Sequence, residues 1–168
     1  MELDFCLFYS AYSSMPQPDS SLPAGFVLRR AVASDLWPLR RMVLFAKLDP
    51  TQLRWQQFWA IEHDETIVAC GQLRQFHGAQ ELGSLVVTKQ WRDRGLGTHL
   101  TQHLIQQASQ PLYLECIGSR LVQFYSRLGF TPVEWQHLPQ SLKPKFALSH
   151  LGRTLLRLPI TLMHLKVT

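Results

Sequence analysis

Only three cysteines occur in the 168 residues, Cys6, Cys70 and Cys116. Their wide spacing and odd number exclude a disulfide framework and a paired-cysteine metal site, and point to a reducing compartment. Long apolar runs are also missing, since no stretch approaches the roughly 20 residues that a membrane-spanning helix needs. The opening MELDFCLFYSAYSS carries Glu2 and Asp4 where a secretory signal needs positive charge. Charge of either sign is scarce, at 17% of residues. What charge there is leans basic, 17 Lys and Arg against 12 Asp and Glu, for a net +5. That surplus favours an anionic partner: nucleic acid, a membrane surface or a small polyanion. No basic run is interleaved with aromatics, which argues against a nucleic-acid-binding module. The expectation is a soluble, cytoplasmic, single-domain protein whose 46% hydrophobic content suffices for one core.

The pattern along the chain is mixed. Residues 1–24 end in a Ser- and Pro-rich stretch and read as a flexible or docking arm, with Phe5, Phe8, Tyr9 and Tyr12 near its start. Residues 25–168 read as the domain. GFVLRRA is a strand. Ser34 and Asp35 are N-cap candidates for a helix through Leu36, Leu39, Val43 and Ala46, closed by Pro50. QFWAIEHD, TIVACGQLRQF and ELGSLVVT follow as three strands, with turns at Asp64-Glu65 and His77-Gly78-Ala79. Leu96, Leu100, Leu104 and Ala108 share a helix face. PLYLECI is a buried strand, SRLVQFYSRLG a helix and FTPVEWQHL another strand. Leu148, Leu151 and Leu155 mark a helix that Pro159 ends, and ITLMHLKV is the last strand. The order β-α-βββ-α-β-α-β-α-β predicts an α/β mixed sheet with helices on its faces.

Between the third of those middle strands and its helix lies QWRDRGLGTHLTQHL. Helix N-termini expose N–H groups without intrahelical partners at the positive end of the macrodipole. A glycine-rich turn lets an anion approach them. Arg92 and Arg94 add charge beside Gly95 and Gly97. By itself the pattern also suits a plain turn. It is neither a Walker A loop nor GxGxxG, so no dinucleotide site is indicated.

In its context the stretch ELGSLVVTKQWRDRGLGTHL resembles the acetyl-CoA signature of the GCN5-related N-acetyltransferase (GNAT) family, with Arg92, Gly95 and Gly97 at the defining positions. LVQFYSRLGF, downstream, resembles the same family's Phe-Tyr-x-Lys/Arg-x-Gly-Phe helix end. Together they cover residues 25–138 well and the termini poorly. Asp93 replaces a common loop glycine, and Gly118 and Leu121 stand where many relatives have Asn and Ala. The resemblance implies a mostly antiparallel mixed sheet flanked by helices, and acetyl transfer from acetyl-CoA to an amine in a ternary complex. The acceptor would be a small-molecule amine or a peptide or protein amine, and a homodimer through the terminal strands is compatible with it.

It further implies that Leu85, Val86 and Val87 offer backbone groups to the pantetheine arm and thioester. Arg92, Asp93, Arg94, Gly95, Leu96, Gly97 and Thr98 would surround the pyrophosphate. Tyr125, within QFYSRLGF, would be the general acid rather than a tyrosine packed on the sheet with its hydroxyl at the surface. Glu81, read as the opening of its strand, would be the general base, or else a solvated edge charge or a carboxylate that only orients the incoming ammonium, with Glu115 in reserve. The rival of another class is a non-catalytic acyl-CoA-binding sensor or interaction module.

Other candidates are set aside. His99 and His103 lie four apart, but without a third ligand they read as a polar helix face, and no metal is expected. Cys116 reads as a buried thiol. Trp55, Phe58 and Trp59 suit either core or an acceptor pocket. The basic, amphipathic SLKPKFALSHLGRTLLRLP reads as a helix packed on the domain rather than a membrane contact.

Overall fold

The computed structural model describes residues 22–166; the aromatic N-terminal arm and Cys6 lie outside them. Among the described residues seven strands form one sheet: β1 (Phe26–Arg30), β2 (Phe58–His63), β3 (Thr66–Phe76), β4 (Ala79–Val87), β5 (Leu112–Ile117), β6 (Thr131–Pro132) and β7 (Ile160–Leu165). The spatial order is β1-β2-β3-β4-β5-β7-β6. Every pairing is antiparallel except β4 with β5. The flanking helices are α1 (Leu36–Phe45), α2 (Leu96–Gln107), α3 (Ser119–Ser126) and α4 (Lys143–Leu156). Among the described residues no helix is long and apolar enough to cross a membrane.

Local chemistry explains the connections. Asp64 and Glu65 both take positive φ, 46° and 59°, as the tightest hairpin turn requires, and so join β2 to β3 directly. Asp35 does not cap α1 with its side chain. Its carboxylate turns back to accept the Val32 N–H at 2.8 Å and the Arg29 guanidinium at 2.7 Å. Helix α1 stops at Phe45, before Pro50, and Lys47 follows in the left-handed region. The expected strand FTPVEWQHL shrinks to Thr131–Pro132 and continues as a 3-10 turn over Trp135–His137. Pro132 has no N–H to extend a ladder.

Strand alternation sorts the side chains onto two faces. On one face, Leu96, Leu100, Leu104 and Ala108 of the α2 segment meet Ile61, Ala69, Leu73, Leu82, Leu112 and Leu114, with Tyr125 and Phe130 closing the α3 side. Leu104 has no solvent exposure. Its replacement by Ala should lower the unfolding free energy by roughly 2–5 kcal/mol through lost burial and a residual cavity. Urea denaturation with an unchanged m-value would show that loss.

The other face is divided. Helix α1 packs Leu39 and Val43 on Phe58, Cys70 and Val86. The α4 side packs Leu142 and Phe146 on Ala79 and Leu162. The leucines that marked α4 in the sequence do not make this contact: Leu148 is 81% exposed, and Leu151 and Leu155 are exposed with it. Helix α4 docks instead through Phe146, Lys145 and Ser149. Between the α1 and α4 patches, a polar strip crosses β3, β4 and β5: Gln72, Arg74, Glu81, Ser84 and Glu115.

Candidate active site

The parallel pairing opens the sheet. β4 and β5 are in register only at Gln80 with Leu112 and Glu81 with Tyr113. Beyond that point β5 follows β7 along its whole length, and the two parallel neighbours part. Backbone groups of β4 that face β5 therefore lose their ladder partners from Leu82 onward and are open to another chain of polar atoms.

A bulge shapes the parting strand. Cys70 pairs with Val86 and Gln72 with Gly83, so three steps on β4 oppose two on β3. The extra residue falls at Ser84–Leu85, and Ser84 adopts φ 51°. A non-glycine residue there costs about 1–2 kcal/mol; bulges of this kind re-aim side chains beside functional sites. Here the bulge resets the alternation, so Leu85 and Val87 join Leu82 on the α2 face while Val86 faces α1.

A cleft of about 770 Å³ occupies the space beyond the split. Leu85, Val86 and Val87 form one wall, and Arg92, Asp93, Gly95, Leu96, Gly97 and Thr98 form its end. Gly95 caps α2 with φ 77°, left-handed geometry that costs glycine nothing. The first bond of the helix runs from the His99 N–H to the Gly95 carbonyl. The N–H groups of Leu96, Gly97 and Thr98 thus precede all intrahelical bonding and face outward as donors. Arg92 donates from Nε to the Val87 carbonyl at 3.1 Å, tying loop to strand. Asp93 sits at φ 61°, which explains why a glycine suits that loop position; Asp tolerates the region better than most residues. Arg94 does not line the cleft. Its guanidinium lies over the Trp91 ring, 4.7 Å from the centroid.

The opposite wall is α3, which sequence reasoning did not assign to the cleft. Arg120, Leu121, Gln123, Phe124 and Arg127 line it. Their spacing of three and four residues was the available signal, since such residues share a helix face. Arg120 pairs loosely with Asp93 across the mouth at 3.7 Å. Gly118, before α3, holds φ 84° and ψ 158°, a region essentially reserved for glycine. An Asn there would need a different backbone.

The two expected catalytic side chains lie off the cleft wall. Tyr125 is 6% exposed and points inward from α3, edge-on to Phe124 and Phe130 at centroid distances of 5.0 and 5.7 Å. Burial, then the neighbouring Cys116, pushes its phenol well above the ordinary tyrosine range. Glu81 does not open its strand. β4 starts at Ala79, which places Glu81 inside the sheet at 3% exposure. Its Oε1 accepts Arg74 Nη1 at 2.8 Å, and Lys145 Nζ stands 4.0 Å away. Oε2 is buried with no partner among the described residues. Burial raises the Glu81 carboxyl, against the pull of Arg74 and Lys145 and with the help of Glu115. Glu115 is itself raised by burial, accepts a hydrogen bond from Ser149, and has its own Oε2 unpartnered among the described residues.

The remaining candidates are structural. Cys116 Sγ lies 3.8 Å from Met163 Sδ, and burial pushes its thiol up to about 11. His103 packs edge-on against Trp59 at 4.1 Å. Phe58 is core and Trp59 lies under Arg30; none of Trp55, Phe58 and Trp59 lines the cleft.

Comparison with known proteins agrees with this geometry. Residues 54–132 match the family model described as an acetyltransferase (GNAT) domain. The amino-acid acetyltransferase of Escherichia coli strain K12 is 27% identical over 129 residues, which cover 69% of this chain and 29% of that protein. The chain thus spans about three-tenths of the length of the curated relatives it matches. In fold it is similar to N-acetylglutamate synthase from Neisseria gonorrhoeae, solved with coenzyme A and N-acetyl-glutamate. The TM-score is 0.70 at 18% identity, covering 88% of this chain and 36% of that one. A Mycobacterium tuberculosis protein solved with CoA and NLQ gives a TM-score of 0.67 at 21% identity, covering 84% and 99% of the two chains. The segment that resembles a GNAT acetyltransferase domain, residues 54–132, runs through the split strands, the glycine loop and both helices of the cleft.

Proposed function

We propose that this chain transfers an acetyl group from acetyl-CoA to a primary amine by direct attack within a ternary complex. The observation that carries the reading is the parting of β4 from β5 over a cleft that ends at the N-terminus of α2. Such a cleft fits a long, anionic thioester. Unpaired β4 backbone groups at Leu85, Val86 and Val87 suit the amide-bearing pantetheine arm. The N–H groups of Leu96, Gly97 and Thr98, with Arg92, Asp93 and Gly95 around them, suit the pyrophosphate. Arg94, stacked on Trp91, adds positive field at the mouth. Arg120 and Arg127 extend that field on the α3 side.

Bound acetyl-CoA supplies an activated acetyl thioester. Glu81 removes the proton that the amine must lose as its nitrogen bonds to the acetyl carbon; the unpartnered Oε2 is the oxygen that takes it. Glu115 is the second carboxylate within reach of the same strip. Tyr125 gives its phenolic proton to the sulfur as the carbon–sulfur bond breaks. Preorganised β4 N–H groups hold the carbonyl oxygen, a contribution worth about 3–4 kcal/mol in comparable sites. The acceptor class open to this site spans small amines, amino acids and peptide amines. The names of the amino-acid acetyltransferases and the N-acetyl-glutamate complex support an amino acid.

The inward position of Tyr125 and the engagement of Glu81 favour one second reading, a sensor that binds acyl-CoA without chemistry. CoA release from acetyl-CoA across amino acids, simple amines and short peptides separates the two. We expect turnover with one acceptor class. Acetyl-CoA binding with no turnover in any class would leave the sensor.

A further inference from the structure

Arg74 is an arginine in the middle of a central strand, 3% exposed, and the proton transfers assigned to Glu81 and Tyr125 give it no part. The structure around it is built to admit it. A Cβ at Gly83 would stand 2.2 Å from Arg74 Nη1 and 3.0 Å from Cζ. The guanidinium therefore crosses β4 through the space that Gly83 leaves. From there Nη1 donates to Glu81 Oε1 at 2.8 Å and Nη2 to Ser84 Oγ at 3.0 Å. Ser84 in turn donates to Gln72 Oε1 at 3.3 Å, and Gln72 donates to the Gln52 carbonyl and Gln57 Oε1. One buried side chain thus fastens the carboxylate that precedes the split and the left-handed residue of the bulge that follows it.

We propose that Arg74 is the positioning residue of the active site: it clamps Glu81 by one oxygen, presents the other oxygen to the acceptor, and locks the Ser84 bulge that aims Leu85–Val87 into the cleft. This rests on the reading of Glu81 as base. The physical argument is geometric. A glutamate side chain has several free torsions before its oxygens, and a planar guanidinium fork removes that freedom where an ammonium would not. A buried charge left without its partner neutralises instead. Four charged or titratable groups surround Glu81: Arg74 from β3, Lys145 from α4, and Glu115 and Tyr113 from β5. Lys145 is also engaged by Asp49, so Arg74 is the nearest committed cation.

Three variants test the clamp through the pH dependence of kcat/KM and through acetyl-CoA affinity. Arg74→Gln removes the cation. Gly83→Ala leaves the cation in the chain but evicts it from its place. Arg74→Lys keeps the charge and loses the fork. With Arg74→Gln and Gly83→Ala we expect kcat/KM at pH 7 to fall by about tenfold or more and the acid limb to move upward by about one pH unit. Acetyl-CoA should bind more weakly in both, because the Ser84 bulge loses the bond that holds it, and Arg74→Lys should restore the limb but not the full rate. Added to Glu81→Gln, Arg74→Gln should cost little more, because both act through one group. An acid limb unmoved in Arg74→Gln and Gly83→Ala, beside an inactive Glu81→Gln, overturns the clamp and leaves the base reading standing. Full activity in Glu81→Gln overturns the base reading itself. If Arg74→Gln fails to fold, the limb in Gly83→Ala and Arg74→Lys decides.

Discussion

If Glu81 is the base, Glu81→Gln is expected to lower kcat by roughly two to four orders of magnitude, the usual contribution of a positioned proton acceptor. The amide keeps the shape and a hydrogen-bond acceptor for Arg74 but cannot take the amine's proton. The sign of the pH effect follows from the environment. As the proposed base Glu81 would work ionised, and burial raises its carboxyl above the ordinary range while Arg74 and Lys145 hold it down. Wild-type activity is therefore expected to fall as pH drops through the raised value and to be full above it. In Glu81→Gln the acid limb governed by this group disappears along with the rate. Acetyl-CoA affinity changes little, since the loop from Arg92 to Thr98 and the β4 backbone are untouched. Steady-state kinetics from acid to mildly alkaline pH, with binding measured separately, checks both parts. A Glu81→Gln enzyme with near-parental kcat and the same limb would move the base to Glu115.

Tyr125→Phe is expected to cost about a hundredfold in kcat with acetyl-CoA as donor. The ring stays between Phe124 and Phe130, so the fold loses at most about 1 kcal/mol with the hydroxyl. The phenol is raised by burial, and a raised phenol stays protonated across the neutral range and beyond. No alkaline limb from Tyr125 is expected below about pH 10. The sharper check uses donors whose leaving thiols are more acidic than that of CoA. They need a proton less, so the gap between Tyr125→Phe and the parent narrows with them if the phenol is the acid. A gap that stays constant across donors means that the hydroxyl acts through packing alone. The inward orientation of the ring makes this comparison decisive for the mechanism.

Much of the fold is legible from the sequence because its signals are local. Leu96, Leu100, Leu104 and Ala108 repeat at helical spacing and bury one face. Asp64-Glu65 and Gly78 punctuate three strands at turns that short contacts dictate. Arg92, Gly95 and Gly97 sit within a few residues of one another, so strand, loop and helix N-terminus appear together in one line of sequence. Where local signals conflict with neighbours, reading fails. Pro132 ends a ladder that the apolar pattern extends, and the Leu148, Leu151 and Leu155 repeat describes a helix without revealing that this stripe faces solvent.

The order of elements and the likeness carried by the glycine loop follow from spacing along one chain, and both can be read without coordinates. Contacts between distant residues set the rest. β4 and β5 meet at two positions and then part, a relation between strands about thirty residues apart in the chain. Arg74 reaches Glu81 only because Gly83 leaves room and a hairpin brings β3 alongside β4. α3 supplies the far wall of the cleft while turning Tyr125 inward, and α4 brings Lys145 onto the same buried strip. Burial and proximity set the protonation of Glu81 and Tyr125, and only packing in three dimensions creates either.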